Sequence, residues 1–266
     1  MKKKIIVSLF VVPVLCLFGL YLFQEKLLFK PIKLSENYTY QFHDKFEEIT
    51  VEVGDKVTLN GILFKSNATK GVVLYFHGNK GDLSEIGKSA SVFTKNGYDV
   101  LYINYRGFGK SLGSLKGEDQ LLQDAQLTYN FLKSRYQESQ ITLYGISIGS
   151  GVATYLAAHN TPNYLILAAP YSRFKDLLQE KLPIVPSFLW KYELDTDKWL
   201  QKVACPVTIF HGKEDIIIPI KNALFLKEKY PKITLVTFEN YGHTNFLESK
   251  LYQERIILEM NTKTPK

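Results

Sequence analysis

Ser147 lies in Gly145-Ile146-Ser147-Ile148-Gly149, between the apolar run Ile141 to Tyr144 and the small-residue stretch Ser150 to His159. A strand that turns sharply into a helix needs glycines on both sides of the turn, and the residue at its apex projects its side chain from the backbone. The helix that follows presents free N–H groups beside that residue and favours negative charge there. The pattern therefore predicts a nucleophilic serine.

A serine hydroxyl is too weakly acidic to attack unaided, so a base must lie within hydrogen-bond reach and a carboxylate should orient that base. Of the five histidines, His243 is the best base, because Asn240-Tyr241-Gly242-His243 follows the strand-like run Ile233 to Phe238 and precedes a helix-like stretch. His43 precedes a hairpin, His159 sits near a helix end, and His211 directly follows a strand, where a structural role is expected. Asp215 is the best orienting acid, in His211-Gly212-Lys213-Glu214-Asp215 after the strand Val207 to Phe210, with Glu214 as its competitor. A fourth element, His77-Gly78-Asn79-Lys80-Gly81, follows the strand Gly71 to Phe76. There a backbone N–H can hold the oxyanion of a tetrahedral intermediate, with Asn79 and Ile148 as the expected donors and His77 as a structural residue.

Each of these positions ends a short apolar run. The runs Gly71 to Phe76, Tyr98 to Asn104, Ile141 to Tyr144, Tyr164 to Ala168, Val207 to Phe210 and Ile233 to Phe238 read as parallel strands buried on both faces. Helix-like stretches alternate with them at Asp82 to Lys95, Gly117 to Tyr136, Ser150 to His159, Ile220 to Lys229 and Asn245 to Met260. The alternation predicts a mostly parallel, doubly wound α/β sheet with helices on both faces, whose carboxyl edge gathers the site. Ile49 to Val53 and Val57 to Phe64 flank Gly54-Asp55 and predict an antiparallel hairpin ahead of it. Residues 170–203, with Pro183, Pro186, Trp190 and Trp199, are too long for a simple crossover and are expected to form a cap insertion with an apolar wall.

The 266 residues are 45% hydrophobic and carry a net charge of +7, enough apolar content for a large core. Residues 1–33 hold six lysines against Glu25, five of those seven charges, so the basic excess flanks an apolar segment instead of forming a nucleic-acid footprint. That segment, residues 5–23, has no charge and, at about 1.5 Å per residue, nearly matches a hydrocarbon core of roughly 30 Å. It lacks the small-residue terminus of a cleavable signal, and Val14-Leu15-Cys16 is not a lipoprotein cleavage pattern. The expected organisation is a basic N-terminus (1–4), a transmembrane anchor (5–23), a connector (24–46) and a catalytic domain (47–266). Clustered Lys2 to Lys4 place the N-terminus in the cytoplasm and the domain outside. The two cysteines, Cys16 and Cys205, form no disulfide framework or zinc pattern, and the chemistry calls for no metal or organic cofactor.

The segments HGNKGD, NYRGFGKS, GISIGSG, HGKEDIIIP and YGH, in that order, resemble the α/β-hydrolase superfamily over about residues 47–260. With the anchor and the connector QEKLLFKP, the chain looks most like the membrane-anchored abhydrolase-domain serine hydrolases, which include depalmitoylases and lipid hydrolases and are often labelled serine aminopeptidase-like. The resemblance implies Ser147 as nucleophile, Asp215 as orienting acid and His243 as base, in the order typical of the fold. Relatives often carry Asp where this chain has Asn104, ahead of Arg106, which is read as fixing its loop. The expected activity is cleavage of an acyl ester or thioester through an acyl-enzyme. A serine peptidase, or a catalytically silent membrane-tethered binding protein, are the alternatives. No obligate protein partner is inferred.

Overall fold

The computed structural model describes residues 2–263 other than Asp55, and the side chains of residues 2–10 and Lys263 lie outside the description. Among the described residues, eight strands form the main sheet: β1 (Phe46–Glu52), β2 (Thr58–Phe64), β3 (Val72–Phe76), β4 (Asp99–Ile103), β5 (Ile141–Ile146), β6 (Tyr164–Ala168), β7 (Val207–Gly212) and β8 (Thr234–Phe238). Their spatial order is β8-β7-β6-β5-β3-β4-β2-β1. The six strands from β3 onward run parallel, and β2 joins β4 antiparallel, so the doubly wound expectation holds. The hairpin β1–β2 pairs Ile49 with Gly61. Its turn has Gly54 at φ +91° and a Val57 N–H to Gly54 C=O bond of 2.8 Å, while Asp55 of the expected Gly54-Asp55 turn is outside the described residues.

Period-two alternation along the central strands divides the core between the two faces of the sheet. Leu74, Phe76, Leu101, Ile103, Leu143, Leu165 and Leu167 face one layer, packed by α2 (Glu118–Lys133) and α3 (Ile148–His159) through Leu121, Tyr129, Val152 and Leu156. Val73, Tyr75, Val100, Tyr102, Tyr144 and Ile166 face the other, packed by Leu83 and Phe93 and by Tyr252, Ile256 and Met260. The expected helix at Asp82 to Lys95 is a contiguous helical run of three turns, Leu83–Ile86, Gly87–Ala90 and Ser91–Thr94, the middle one 3-10. The backbone stays right-handed helical through Gly87, where Phe42 lies within 2.8 Å of the place a Cβ would take.

An apolar helix, Lys2–Leu28, covers the expected span at residues 5–23 and continues to Leu28. Its Val11–Leu28 window has a mean hydropathy of 1.6 and is almost entirely unburied. Where it ends, the chain does not wander: residues 28–34 thread between two loops at the carboxyl edge of the sheet. Lys30 and Pro31 pair in parallel with Lys80 and Gly81, and Lys33 bridges to Gly109.

Candidate active site

Ser147 occupies the apex between β5 and α3 with φ +54° and ψ −122°, a backbone conformation that a non-glycine residue holds only when its surroundings enforce it. Both flanking glycines are sterically required. A Cβ at Gly145 would lie 2.2 Å from the Gly149 carbonyl oxygen, and one at Gly149 would lie 2.3 Å from that of Phe76. The Ser147 N–H donates to Ala168 C=O at 2.9 Å, tying the apex to β6.

The structure brings the three sequence-selected residues together. The Ser147 hydroxyl is 3.0 Å from His243 Nε2, and His243 Nδ1 is 2.7 Å from Asp215 Oδ2. The arrangement fixes the imidazole proton on Nδ1, donated to the carboxylate, and leaves Nε2 to accept from the serine. The loops bearing the acid and the base are stitched to each other: Lys213 N–H donates to Phe238 C=O and Glu214 N–H to Tyr241 C=O, both at 2.9 Å. Gly212 permits this approach, because a Cβ there would sit 2.3 Å from the Tyr241 and Gly242 carbonyl oxygens. Glu214, the competing acid, is exposed, and His43 and His159 are surface residues outside the site.

Asp215 is buried and accepts on both oxygens. Oδ1 takes the N–H groups of Ile217 and Ile218 at 2.8 Å each, and Oδ2 takes His243 and, at 3.3 Å, His211 Nε2. Burial alone would raise its pKa, but hydrogen-bond donors from His211, His243 and the Ile218 N–H outweigh it and hold the carboxyl well below the usual carboxylate range. The sequence reading gave His211 only a structural role. The fully buried ring shares its Nε2–H between Ile218 C=O, at 2.8 Å, and the Asp215 carboxylate, so it is a positioning residue for the acid. The i,i+4 spacing of His211 and Asp215 across a strand end was the available signal.

The oxyanion-loop candidates flank Ser147: Gly78 and Asn79 share a cavity wall with it, and Ile148 opens α3, where the first N–H groups have no partner within the helix. Asn79 has a further attachment that sequence reasoning missed. Its side-chain Nδ2 donates to Leu28 C=O at 2.7 Å, and its own carbonyl accepts from Lys30 N–H at 2.8 Å. Behind the loop, His77 is buried against Tyr105 and Phe108 and donates Nδ1–H to Gly78 C=O at 2.6 Å. Burial pushes its pKa down to about 4, against the upward pull of that bond and of Asp82, so the ring is neutral and structural, as expected. Arg106 also fixes its loop as expected, though through a partner on α2 that the sequence did not reveal. It pairs bidentately with Asp124 at 2.6 and 2.8 Å, while Asn104 turns its amide to Asn60.

Beside Ser147 and His243 opens a cavity of about 760 Å³. Tyr75, Tyr144, Phe93 and Tyr252 form an aromatic floor, and Ile86, Val92 and Leu247 add aliphatic walls. Tyr75 stacks on Tyr144 at 4.3 Å, and Tyr144 and Tyr252 share a hydroxyl hydrogen bond of 2.5 Å. The apolar wall expected from residues 170–203 is therefore supplied by the 83–93 turns and the C-terminal segment. Residues 170–203 contain α4 (Phe174–Lys181) and contribute no lining residue; Tyr171, Leu177, Val185, Trp190 and Leu200 among them pack in the first core layer, while Ile184 and Phe188 are exposed.

Comparison with known proteins identifies the family and the fold. The family described as Serine aminopeptidase, S33, matches residues 67–199, half of the chain. Protein bem46 of Schizosaccharomyces pombe is 31% identical over 67% of this chain and 64% of its own length. The lysophosphatidylserine lipase ABHD12 of Xenopus tropicalis is 27% identical over 71% of this chain and 58% of its own length. The chain thus spans about six tenths of these relatives. Among solved structures, an esterase from Pyrococcus furiosus superposes with a TM-score of 0.73 at 17% identity, over 90% of this chain and 98% of its own. An alpha-beta hydrolase from Vibrio vulnificus does so with a TM-score of 0.67 at 19% identity, over 82% and 81%. The shared fold is that of the α/β-hydrolases.

Proposed function

The chain belongs to the family described as Serine aminopeptidase, S33, on the α/β-hydrolase fold, and from that premise we propose that it is a serine hydrolase, a membrane-anchored lipid esterase that cleaves the acyl ester of a single-chain amphiphile. Ser147 attacks the ester carbonyl while His243 Nε2 takes its proton, and Asp215 stabilises the imidazolium that forms. The N–H groups of Asn79 and Ile148 hold the oxyanion, each such donor being worth about 3 kcal/mol of transition-state stabilisation. Collapse transfers the acyl group to Ser147 and expels the alcohol with the proton from His243. Water then repeats the sequence and releases the fatty acid.

One observation carries the reading: the Asp215–His243–Ser147 hydrogen-bond chain opens into an aromatic-floored cavity beside the end of an apolar helix. An aromatic and aliphatic cavity suits an acyl chain, and a helix with this hydropathy suits a bilayer. Similarity to a lysophosphatidylserine lipase supports an ester-linked lipid with one acyl chain. We read the helix as a single-pass anchor that leaves the domain on the outer face.

The test is labelling by a fluorophosphonate probe in membranes, comparing wild type with Ser147→Ala and His243→Ala, followed by p-nitrophenyl esters of increasing chain length, a lysophospholipid and an acyl thioester. Loss of labelling in both variants, with a preference for longer acyl esters, is expected. Undiminished labelling of Ser147→Ala overturns the assignment.

A further inference from the structure

Residues 182–190, Leu-Pro-Ile-Val-Pro-Ser-Phe-Leu-Trp, are an uncharged run between Lys181 and Lys191. They take no part in the cavity, yet they hold the most exposed apolar side chains of the insertion: Ile184 is 88% exposed and Phe188 78%. Both side chains belong to one short loop, and exposing two large apolar groups there to water is unfavourable.

The loop is not free to choose its position. Gln24 of the apolar helix donates from Nε2 to Leu189 C=O at 3.0 Å and accepts the Lys191 N–H on Oε1 at 2.9 Å. Glu25 pairs with Lys191 Nζ at 3.1 Å, and the same ammonium lies 4.8 Å from the centre of the Tyr21 ring. Leu20, one turn inside the uncharged stretch, packs against the core cluster that contains Val185 and Trp190. At about 1.5 Å of rise per residue, the loop is clasped between Leu20 and Glu25, the level at which a helix embedded through residues 5–23 leaves the hydrocarbon. The loop's backbone is partly satisfied internally, with Val185 N–H on Leu182 C=O and Leu189 N–H on Pro186 C=O.

We propose that the loop at residues 182–189 is a second membrane contact, which seats Ile184 and Phe188 in the bilayer beside the anchor and fixes how the catalytic domain sits on the lipid surface. The occupant is lipid, because the loop that carries both side chains is hydrogen-bonded, through Leu189 and Lys191, to the end of the helix proposed to enter the bilayer. The inference rests on the reading of that helix as an anchor and deepens the proposed function. A domain held at two points keeps its orientation, and the Asn79–Leu28 bond places the oxyanion loop close to the same surface, so that a lipid needs little travel from bilayer to Ser147.

The test uses the full chain in phosphatidylcholine–phosphatidylglycerol vesicles, with Cys16→Ala and Cys205→Ala as background. A nitrobenzoxadiazole label on Phe188→Cys should shift its emission to the blue and be quenched by doxyl lipids, whereas a label on Ser134→Cys, exposed at the opposite edge of the sheet, should do neither. The double variant Ile184→Glu/Phe188→Glu should lose at least about tenfold of its rate on vesicle-embedded lysophospholipid while hydrolysing dissolved p-nitrophenyl acetate at the wild-type rate. Equal behaviour of the two labels overturns the proposal. So does a blue shift at Phe188 that scales with protein density without lipid quenching, which assigns the patch to a second copy of the chain. Equal loss on both substrates, or on neither, also overturns it. A wild type that hydrolyses neither substrate refutes the esterase reading alone, because lipid quenching does not depend on activity.

Discussion

Asp215→Asn separates the acid's electrical role from its structural one. The carboxylate has two faces with different neighbours: Oδ1 meets the fixed N–H groups of Ile217 and Ile218, and Oδ2 meets the His243 and His211 rings. An asparagine must keep its oxygen on the two backbone donors, since turning its NH₂ toward them would set three donors against one another. Its NH₂ then faces His243 Nδ1, which becomes an acceptor and drives the ring proton to Nε2, where the base can no longer take the serine proton. The expected loss in kcat is about 10³- to 10⁴-fold, or roughly 4 to 5.5 kcal/mol at 1.36 kcal/mol per decade. Asp215→Ala loses the Oδ1 bonds and is the less stable protein, but its imidazole keeps a choice of tautomer. The asparagine variant is therefore expected to be the better folded of the two and no more active. Hydrolysis of p-nitrophenyl butyrate, with thermal midpoints as the folding control, reads both. An asparagine variant that retains more than about a tenth of wild-type kcat refutes the tautomer argument.

Asn79→Ala keeps the backbone N–H proposed for the oxyanion hole and removes only the bond to Leu28 C=O. One neutral hydrogen bond is worth about 1 kcal/mol, so kcat should fall about fivefold with KM unchanged; an unchanged kcat means that the loop holds itself without the helix. His77 gives stability a pH dependence: in the unfolded chain it takes a proton near pH 6.5, but in the buried site only near about 4. The unfolded state binds more protons in that window, so the stabilisation is full above the unfolded value and is lost as pH falls toward the folded one, by about 2 kcal/mol between pH 7 and 5. Urea midpoints at the two pH values should show this loss in wild type and not in His77→Gln, and equal slopes would refute it.

The site was legible where chemistry imposes itself on short stretches of chain. Gly145 and Gly149 are needed by steric contact alone, and apolar runs ending at Ile146, Gly212 and Phe238 put Ser147, Asp215 and His243 on one edge of the sheet. What escaped was the part made by distant residues. Nothing local tells Arg106 that its partner is Asp124, or Asn79 that its amide will meet Leu28, 51 residues away. The aromatic floor was hidden for a related reason: Tyr75 and Tyr144 read as buried strand residues, and only the pairing of β3 with β5 stacks them.

The same long-range contacts argue against treating the apolar helix and the folded domain as separable modules. Lys30 N–H binds Asn79 C=O and Ile32 N–H binds Gly81 C=O, while Ile32 C=O accepts from Gly109 N–H and Leu34 N–H returns to Gly109 C=O. The residues that leave the helix are thus a shim between the oxyanion loop and the loop that Arg106 fixes. In the proposed anchored state, tilting the helix would strain this shim before it moved the distant edges of the sheet, and the first groups to feel the strain would be those around Asn79.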